Sequence, residues 1–265
     1  MPRVVLRVQY DGRDWSGWQS QPGGRTVQDT LEKALSTFID APVRSHAAGR
    51  TDSGVHATGQ VVHFDCQVDR PLAAWVRGVN RYLPSSIAVR SAVLVPESFH
   101  ARFSAMSRSY CYVLYTGQVR APHLSGRAGW EFRPLRLEPM RQAAAMLIGE
   151  HDFSAFRSVE CQAKSPVKTM HQFDITRRGQ MLVFELRANA FLHHMVRNLV
   201  GSLLYVGQGK HQPDYLAQLL SGRDRSQAAP TFMADGLYLT AVEYPAEFKL
   251  PEGEALDLVF PGLLP

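Results

Sequence analysis

The densest cluster of chemically capable side chains runs Ala48-Gly49-Arg50-Thr51-Asp52-Ser53-Gly54-Val55-His56-Ala57-Thr58-Gly59-Gln60. Three glycines within eleven residues permit the tight, positive-φ backbone from which a single side chain projects out of a loop. Asp52, with Arg50 before it and His56 after it, has the makings of a functional carboxylate kept ionised by a neighbouring cation. The competing reading is an Asx-turn, in which the same carboxylate only hydrogen-bonds its own backbone. Residue types alone leave both open.

A second candidate is Arg197. Phe191, Leu192, Met195, Val196, Leu199, Val200, Leu203 and Leu204 describe a wide apolar arc, which predicts a largely buried helix from about Phe191 to Val206. Arg197, four residues after His193, falls on the narrow strip left over. A guanidinium on so apolar a helix calls for an anion, because an unpaired buried charge costs on the order of several kcal/mol. Asp52 and an RNA phosphate are the two candidates; an arginine reaching solvent along its own stem is the bland alternative. On a continuous helix His193 and His194 face different sides, so no metal site is expected there.

Absent patterns narrow the reaction. There is no Gly-x-x-x-x-Gly-Lys loop, no dinucleotide-binding glycine pattern after a strand, no nucleophile-elbow Gly-x-Ser-x-Gly and no Cys-x-x-Cys zinc pair. If the chain is an enzyme, one aspartate working without metal or cofactor is what remains.

These residues need elements to hold them. Val4 to Tyr10 alternates as a half-buried strand, and Asp11 to Gly24 reads as loop. Thr26 with Asp29 opens a helix carrying Val27, Leu31, Ala34, Leu35 and Phe38 on one face. Strands are predicted at Pro42 to Ala48, Gln60 to Cys66 and Ile87 to Leu94. A helix from Pro71 is predicted to bury Leu72, Trp75, Val76, Val79 and Tyr82. This order is the split βαβ unit of ferredoxin-like domains.

The second half repeats it, with a strand at Tyr110 to Tyr115, a helix marked by Met140, Ala144, Leu147 and Ile148, and a hairpin of Met170 to Thr176 with Met181 to Ala188. The apolar helix, a shorter one at about Pro213 to Leu220 and a strand at Leu237 to Tyr244 complete it. The expected fold is α+β: two ferredoxin-like halves, residues 1–105 and 106–245, forming an extended, mainly antiparallel sheet with helices packed on it. A central cleft is the default ligand site. Residues 246–265 read as a surface-packed extension.

Composition agrees with this. Of 265 residues 45% are apolar and 20% charged, an ordinary globular balance, and no run of about 18 apolar residues indicates a membrane span. Met1-Pro2-Arg3-Val4 lacks the apolar core of a secretory signal, and the three cysteines are widely spaced, so the expected compartment is the cytoplasm. The net charge is +5, and six arginines stand against the single acid Glu131 between residues 101 and 136. Interleaved with Tyr110, Tyr112, Tyr115 and Trp130, they suit phosphate contacts beside base stacking. A solvated basic face over core aromatics is the alternative.

Gly49-Arg50-Thr51-Asp52 with Gly54-Val55-His56 resembles the signature of the bacterial tRNA pseudouridine synthase A family, which isomerises uridines at positions 38 to 40 of the anticodon stem-loop. Further matches are Tyr10-Asp11-Gly12 with Gly17-Trp18-Gln19, Phe99-His100-Ala101-Arg102-Phe103-Ser104-Ala105, Asn189-Ala190-Phe191-Leu192-His193-His194-Met195-Val196-Arg197-Asn198, and Gly236-Leu237-Tyr238-Leu239. The resemblance implies that Asp52 is the essential aspartate that drives cleavage of the glycosidic bond. It implies that Tyr110 packs on the target base and helps remove its C5 proton, that Arg197 pairs with the aspartate, and that Arg50 holds the flipped nucleotide out. It also implies a homodimer without cofactor or metal, acting on tRNA. The sequence departs from the family at Ser53, where alanine is usual, and at Ser109 and Cys111, in positions often basic, which would weaken nearby tRNA contacts.

Two other functions are compatible with parts of the pattern. A non-catalytic RNA-binding module of paired split-βαβ halves would carry an aromatic RNP1 strand, which is missing. A glycosidase using Asp52 would need a second carboxylate, and nothing in the sequence singles out Asp11, Asp14 or Asp65 for that part.

Overall fold

The computed structural model describes residues 2–251 and 260. In chain order the first half forms β1 (Arg3–Tyr10), α1 (Val27–Ile39), β2 (His46–Ala47), β3 (His56–Asp65), α2 (Leu72–Asn80) and β4 (Ile87–Val95). The rest forms β5 (Ser107–Tyr115), β6 (Gly129–Trp130), α3 (Leu137–Ala145), β7 (Gly149–Asp152), β8 (Val167–Arg178), β9 (Met181–Ala188), α4 (Met195–Gly207), α5 (Tyr215–Gly222) and β10 (Leu237–Glu243). The chain divides into two compact units, one reaching to Met106 and resuming at Tyr238, the other Ser107–Leu237. Almost all of β10 therefore belongs with the first unit, whereas the sequence reading drew the second half through residue 245. Of the expected extension, residues 252–259 and 261–265 lie outside the described residues.

In the first unit β1 lies between β4 and β3, antiparallel to both, and β2 pairs with the far end of β3. That is the strand order of a split βαβ domain. β10 adds to β3 in parallel at His56 and Ala57. All of β3 but Asp65 is buried, because Phe64 packs on Trp75 of α2 while Phe99 covers His63 on the other face. This double cover takes even Gln60 to 0% exposure.

α1 starts where expected: the Thr26 hydroxyl accepts from the Asp29 N–H, a cap contributing about 1 kcal/mol. The predicted strand from Pro42 contracts to His46–Ala47. The reason is that the Val43 and Ser45 N–H groups donate to Ser36 Oγ and Glu32 Oε1 of α1, so they are spent on helix side chains rather than a ladder. Leu72 and Tyr82 are exposed, not buried, since they sit at the first residue and beyond the last residue of the short α2.

In the second unit β9 runs antiparallel between β5 and β8, and β7 continues the edge beyond β8. A two-residue loop, with Gly179 at φ +58°, closes the β8–β9 hairpin. The two short strands β6 and β7, of two and four residues, had no periodic signal. α4 begins at Met195, four residues later than its apolar arc suggests. His194 takes a left-handed conformation, φ +63°, and accepts the Asn198 N–H at its carbonyl. Residues 191–194 thus lead into the helix rather than form it, and His193 and His194 do not splay apart: their ring centroids are 4.0 Å from each other. Among the described residues no helix is long and apolar enough to cross a membrane.

Candidate active site

Asp52 is half-buried on the loop entering β3, and Arg50 beside it is exposed. The loop owes its shape to backbone contacts with residues 11–18, which lie along it as a strap. Trp18 N–H donates to the Thr51 carbonyl at 3.0 Å, and Gly54 N–H to the Trp15 carbonyl at 3.3 Å. The Ser53 hydroxyl reaches the same Trp15 carbonyl at 3.2 Å. Serine in place of the usual alanine therefore adds a tie between loop and strap.

Two glycines make this approach possible. A Cβ on Gly12 would collide with the Val55 carbonyl. Gly17, at φ +83°, would place one 2.8 Å from the Thr51 carbonyl oxygen and 3.1 Å from the Asp52 carbonyl carbon. Gly17→Ala should therefore strain its own backbone and push the loop, costing about 1–3 kcal/mol of stability. A thermal melt checks this; an unchanged melting temperature would mean that the strap does not hold the loop.

Beneath the loop, Tyr10 OH lies 2.8 Å from Thr51 Oγ1, and Gln60 Nε2 donates to Tyr10 OH at 3.3 Å and to the Gly49 carbonyl at 2.7 Å. Both flanks of Asp52 are thus tied to the core. Burial pushes the Tyr10 phenol up to about 12, against the Thr51 and Gln60 hydrogen bonds, so it stays neutral.

His56 is buried and stacks on Tyr238 at 4.5 Å. Gly12 N–H donates to its Nδ1 at 3.1 Å. Asp11 Oδ1 is 3.3 Å from the same nitrogen, and Arg13 Nη2 is 2.6 Å from Asp11 Oδ2. Burial raises the Asp11 carboxyl, but the His56 edge and the Arg13 guanidinium outweigh it and hold the group well below the ordinary carboxylate range. Asp65 is likewise bound, to Arg3 at 2.7 Å. Of the carboxylates a glycosidase would recruit, these two are engaged structurally.

The second unit carries the other two sequence candidates. Tyr110, half-buried on β5, pairs with Leu186, so it shares the face of Tyr112 and Phe184. Its ring meets Phe191 in an edge-to-face contact at 5.0 Å and 79°. The fold therefore brings Tyr110 beside the segment that leads to Arg197. Cys111 points to the opposite face and is buried, so a basic residue lacking there removes no surface contact.

Arg197, in the first turn of α4, is half-buried. Its Nε donates to the Phe232 carbonyl at 2.8 Å, while Phe232 N–H returns to the Arg197 carbonyl at 3.4 Å. A neutral backbone acceptor thus orients the guanidinium plane without neutralising its charge.

Asn198 next to it was missed by sequence reasoning, although a polar residue in an apolar arc is itself a signal. It is fully buried, donates to the Phe156 carbonyl at 2.8 Å and accepts from Thr231 Oγ1 at 2.7 Å and Arg225 Nη2 at 3.0 Å. These bonds anchor the start of α4 and the 225–232 segment to one another. No local pattern announced Phe232, which acts through its backbone.

A family model described as tRNA pseudouridine synthase matches residues 7–104 and 143–245. The tRNA pseudouridine synthase A of Bordetella petrii is 60% identical over 252 residues, covering 94% of this chain and 94% of the relative. That of Burkholderia lata is 59% identical over 95% and 93%, and that of Janthinobacterium sp. 58% over 97% of each. The chain belongs to the tRNA pseudouridine synthase family. Its matched segments include Asp52 and Arg197 and omit Tyr110.

Proposed function

We propose that this chain converts uridine to pseudouridine at positions 38 to 40 of the tRNA anticodon stem-loop, with Asp52 as the attacking carboxylate. Membership of the family makes it an isomerase that forms pseudouridine in tRNA. What supports Asp52 as that carboxylate is its loop, whose backbone is tied on both flanks and crossed by a glycine strap, a preorganised setting for one side chain.

The target uridine leaves its stack, as chemistry on a base requires. The carboxylate adds to the nucleotide, splitting one hard step into two. The N1–C1′ bond breaks, the uracil turns over, a C5–C1′ bond forms, and the bond between the carboxylate and the nucleotide breaks, which returns Asp52 to its free form. C5 then loses a proton and N1 gains one, so the product is an isomer and no redox partner is consumed. Tyr110 offers the ring that holds the loosened base and a hydroxyl close to C5. Arg197 pairs with the carboxylate and keeps it charged, and Arg50 holds the flipped nucleotide out. This reading has the protein working as a homodimer in the cytoplasm, with no cofactor or metal.

Mapping pseudouridine by carbodiimide or mass spectrometry in unmodified tRNA treated with the purified protein tests the reading; product elsewhere, or free uracil, would overturn it. The Tyr110 role has its own series. Tyr110→Phe should keep base packing and lose only hydroxyl chemistry, whereas Tyr110→Ala should lose both and fall by about a further tenfold, the size of one aromatic–base contact. C5-tritium release at saturating tRNA gives the comparison, and equal rates in all three proteins would dispose of the ring's role.

A further inference from the structure

The second unit holds a pocket of about 400 Å³ at the end of β5 remote from Tyr110, beside the β8–β9 hairpin. The strand runs at about 3.3 Å per residue, so Thr116 on the pocket wall lies about 20 Å along the chain from Tyr110. Its lining combines Phe132, Arg133 and Arg177 with Thr116, Gln118 and Leu135, and no acid lines it.

The pocket's shape is set from behind. Glu131 is buried, accepts the Arg133 N–H at 2.9 Å and takes Gln208 Nε2 at 2.9 Å, which fixes the turn that presents the next two side chains. Arg133 spreads its guanidinium 4.9 Å over the Phe132 ring, which is 45% exposed, and keeps one edge of that guanidinium, Nη1, 3.4 Å from the Glu131 carboxylate, leaving the rest of the fork for an anion. Arg177, near the end of β8, reaches the Leu135 carbonyl only at 3.4 Å. An exposed aromatic face carrying one cation, next to a second cation and two small polar groups, is what a nucleotide needs: a plane for its base and donors for its phosphate.

We infer that this pocket takes a nucleotide of the tRNA other than the one being isomerised, its base stacked on Phe132 and its phosphate held by Arg177 and Arg133. The site anchors the polynucleotide at a second point, and so acts on affinity rather than on the chemical step. It rests on the tRNA substrate of the proposed function.

The test measures tRNA Kd by filter binding over a range of salt, together with kcat at saturating tRNA, for wild type, Phe132→Ala, Phe132→Tyr and the Arg133→Gln/Arg177→Gln pair. Phe132→Ala should weaken binding roughly tenfold with the salt slope unchanged, and Phe132→Tyr should restore it. The arginine pair should lower the slope of log Kd against log salt by about one to two. All should keep the wild-type kcat and oligomeric state. A photo-crosslinking phenylalanine analogue at position 132 should attach to tRNA.

Wild-type affinity in both Phe132→Ala and the arginine pair, or crosslinking to a second copy of the chain, overturns the inference. So does saturable binding of free uridine monophosphate that these variants lose while their tRNA Kd stays unchanged. Crosslinking of tRNA through the analogue at position 132, together with no pseudouridine made by the wild-type protein, would instead defeat the proposed function and leave the pocket standing.

Discussion

Asp52→Asn should lower pseudouridine formation by about 10⁴-fold or more, the scale of removing a covalent nucleophile, while tRNA binding and thermal stability stay near wild type. Asparagine keeps the shape of the side chain and loses its charge and nucleophilicity. The loop should survive the change because the contacts that hold it are made by other groups: the Thr51 and Asp52 carbonyls, the Gly54 N–H, the Ser53 and Thr51 hydroxyls and the Gln60 amide. A lost rate would then report chemistry rather than collapse. Tritium release from C5-labelled uridine, filter binding and a thermal melt separate the two, and turnover within tenfold of wild type would remove Asp52 from its role.

Arg197→Met should cost about 10²- to 10³-fold in kcat, the usual penalty for deleting one preorganised electrostatic partner, with a smaller change in tRNA affinity. Methionine retains a long apolar stem for packing along α4, so the lost features are the charge and the bond to the Phe232 carbonyl. Arg197→Lys separates the two lost features, since lysine returns the charge without the planar Nε–H that Phe232 fixes. It should recover part of the rate. A wild-type rate in Arg197→Met would leave the arginine a solvent-facing side chain.

Much of this protein was legible in one dimension wherever short-range patterns decide the outcome. The Thr26 cap, the alternation of β1 and the hairpin around Gly179 depend on neighbours a few residues away, and each formed close to where its spacing put it. Asp52 could be singled out for the same reason, since glycines and charged residues cluster within its own loop.

Other features depend on groups far apart in sequence. The arc from Phe191 promised four more helical residues than α4 contains, because periodicity records which side chains are apolar and not where the backbone turns at His194. The segment from Pro42 lost its ladder to acceptors on α1. Gly12 and Gly17 read as ordinary loop glycines until their backbones were seen lying against Val55 and Thr51. Residue types and their order were enough to nominate the chemistry and most of the elements. Backbone carbonyls such as those of Trp15 and Phe232 carry no side-chain signature, so their part in aiming Ser53 and Arg197 emerges only after distant segments have packed.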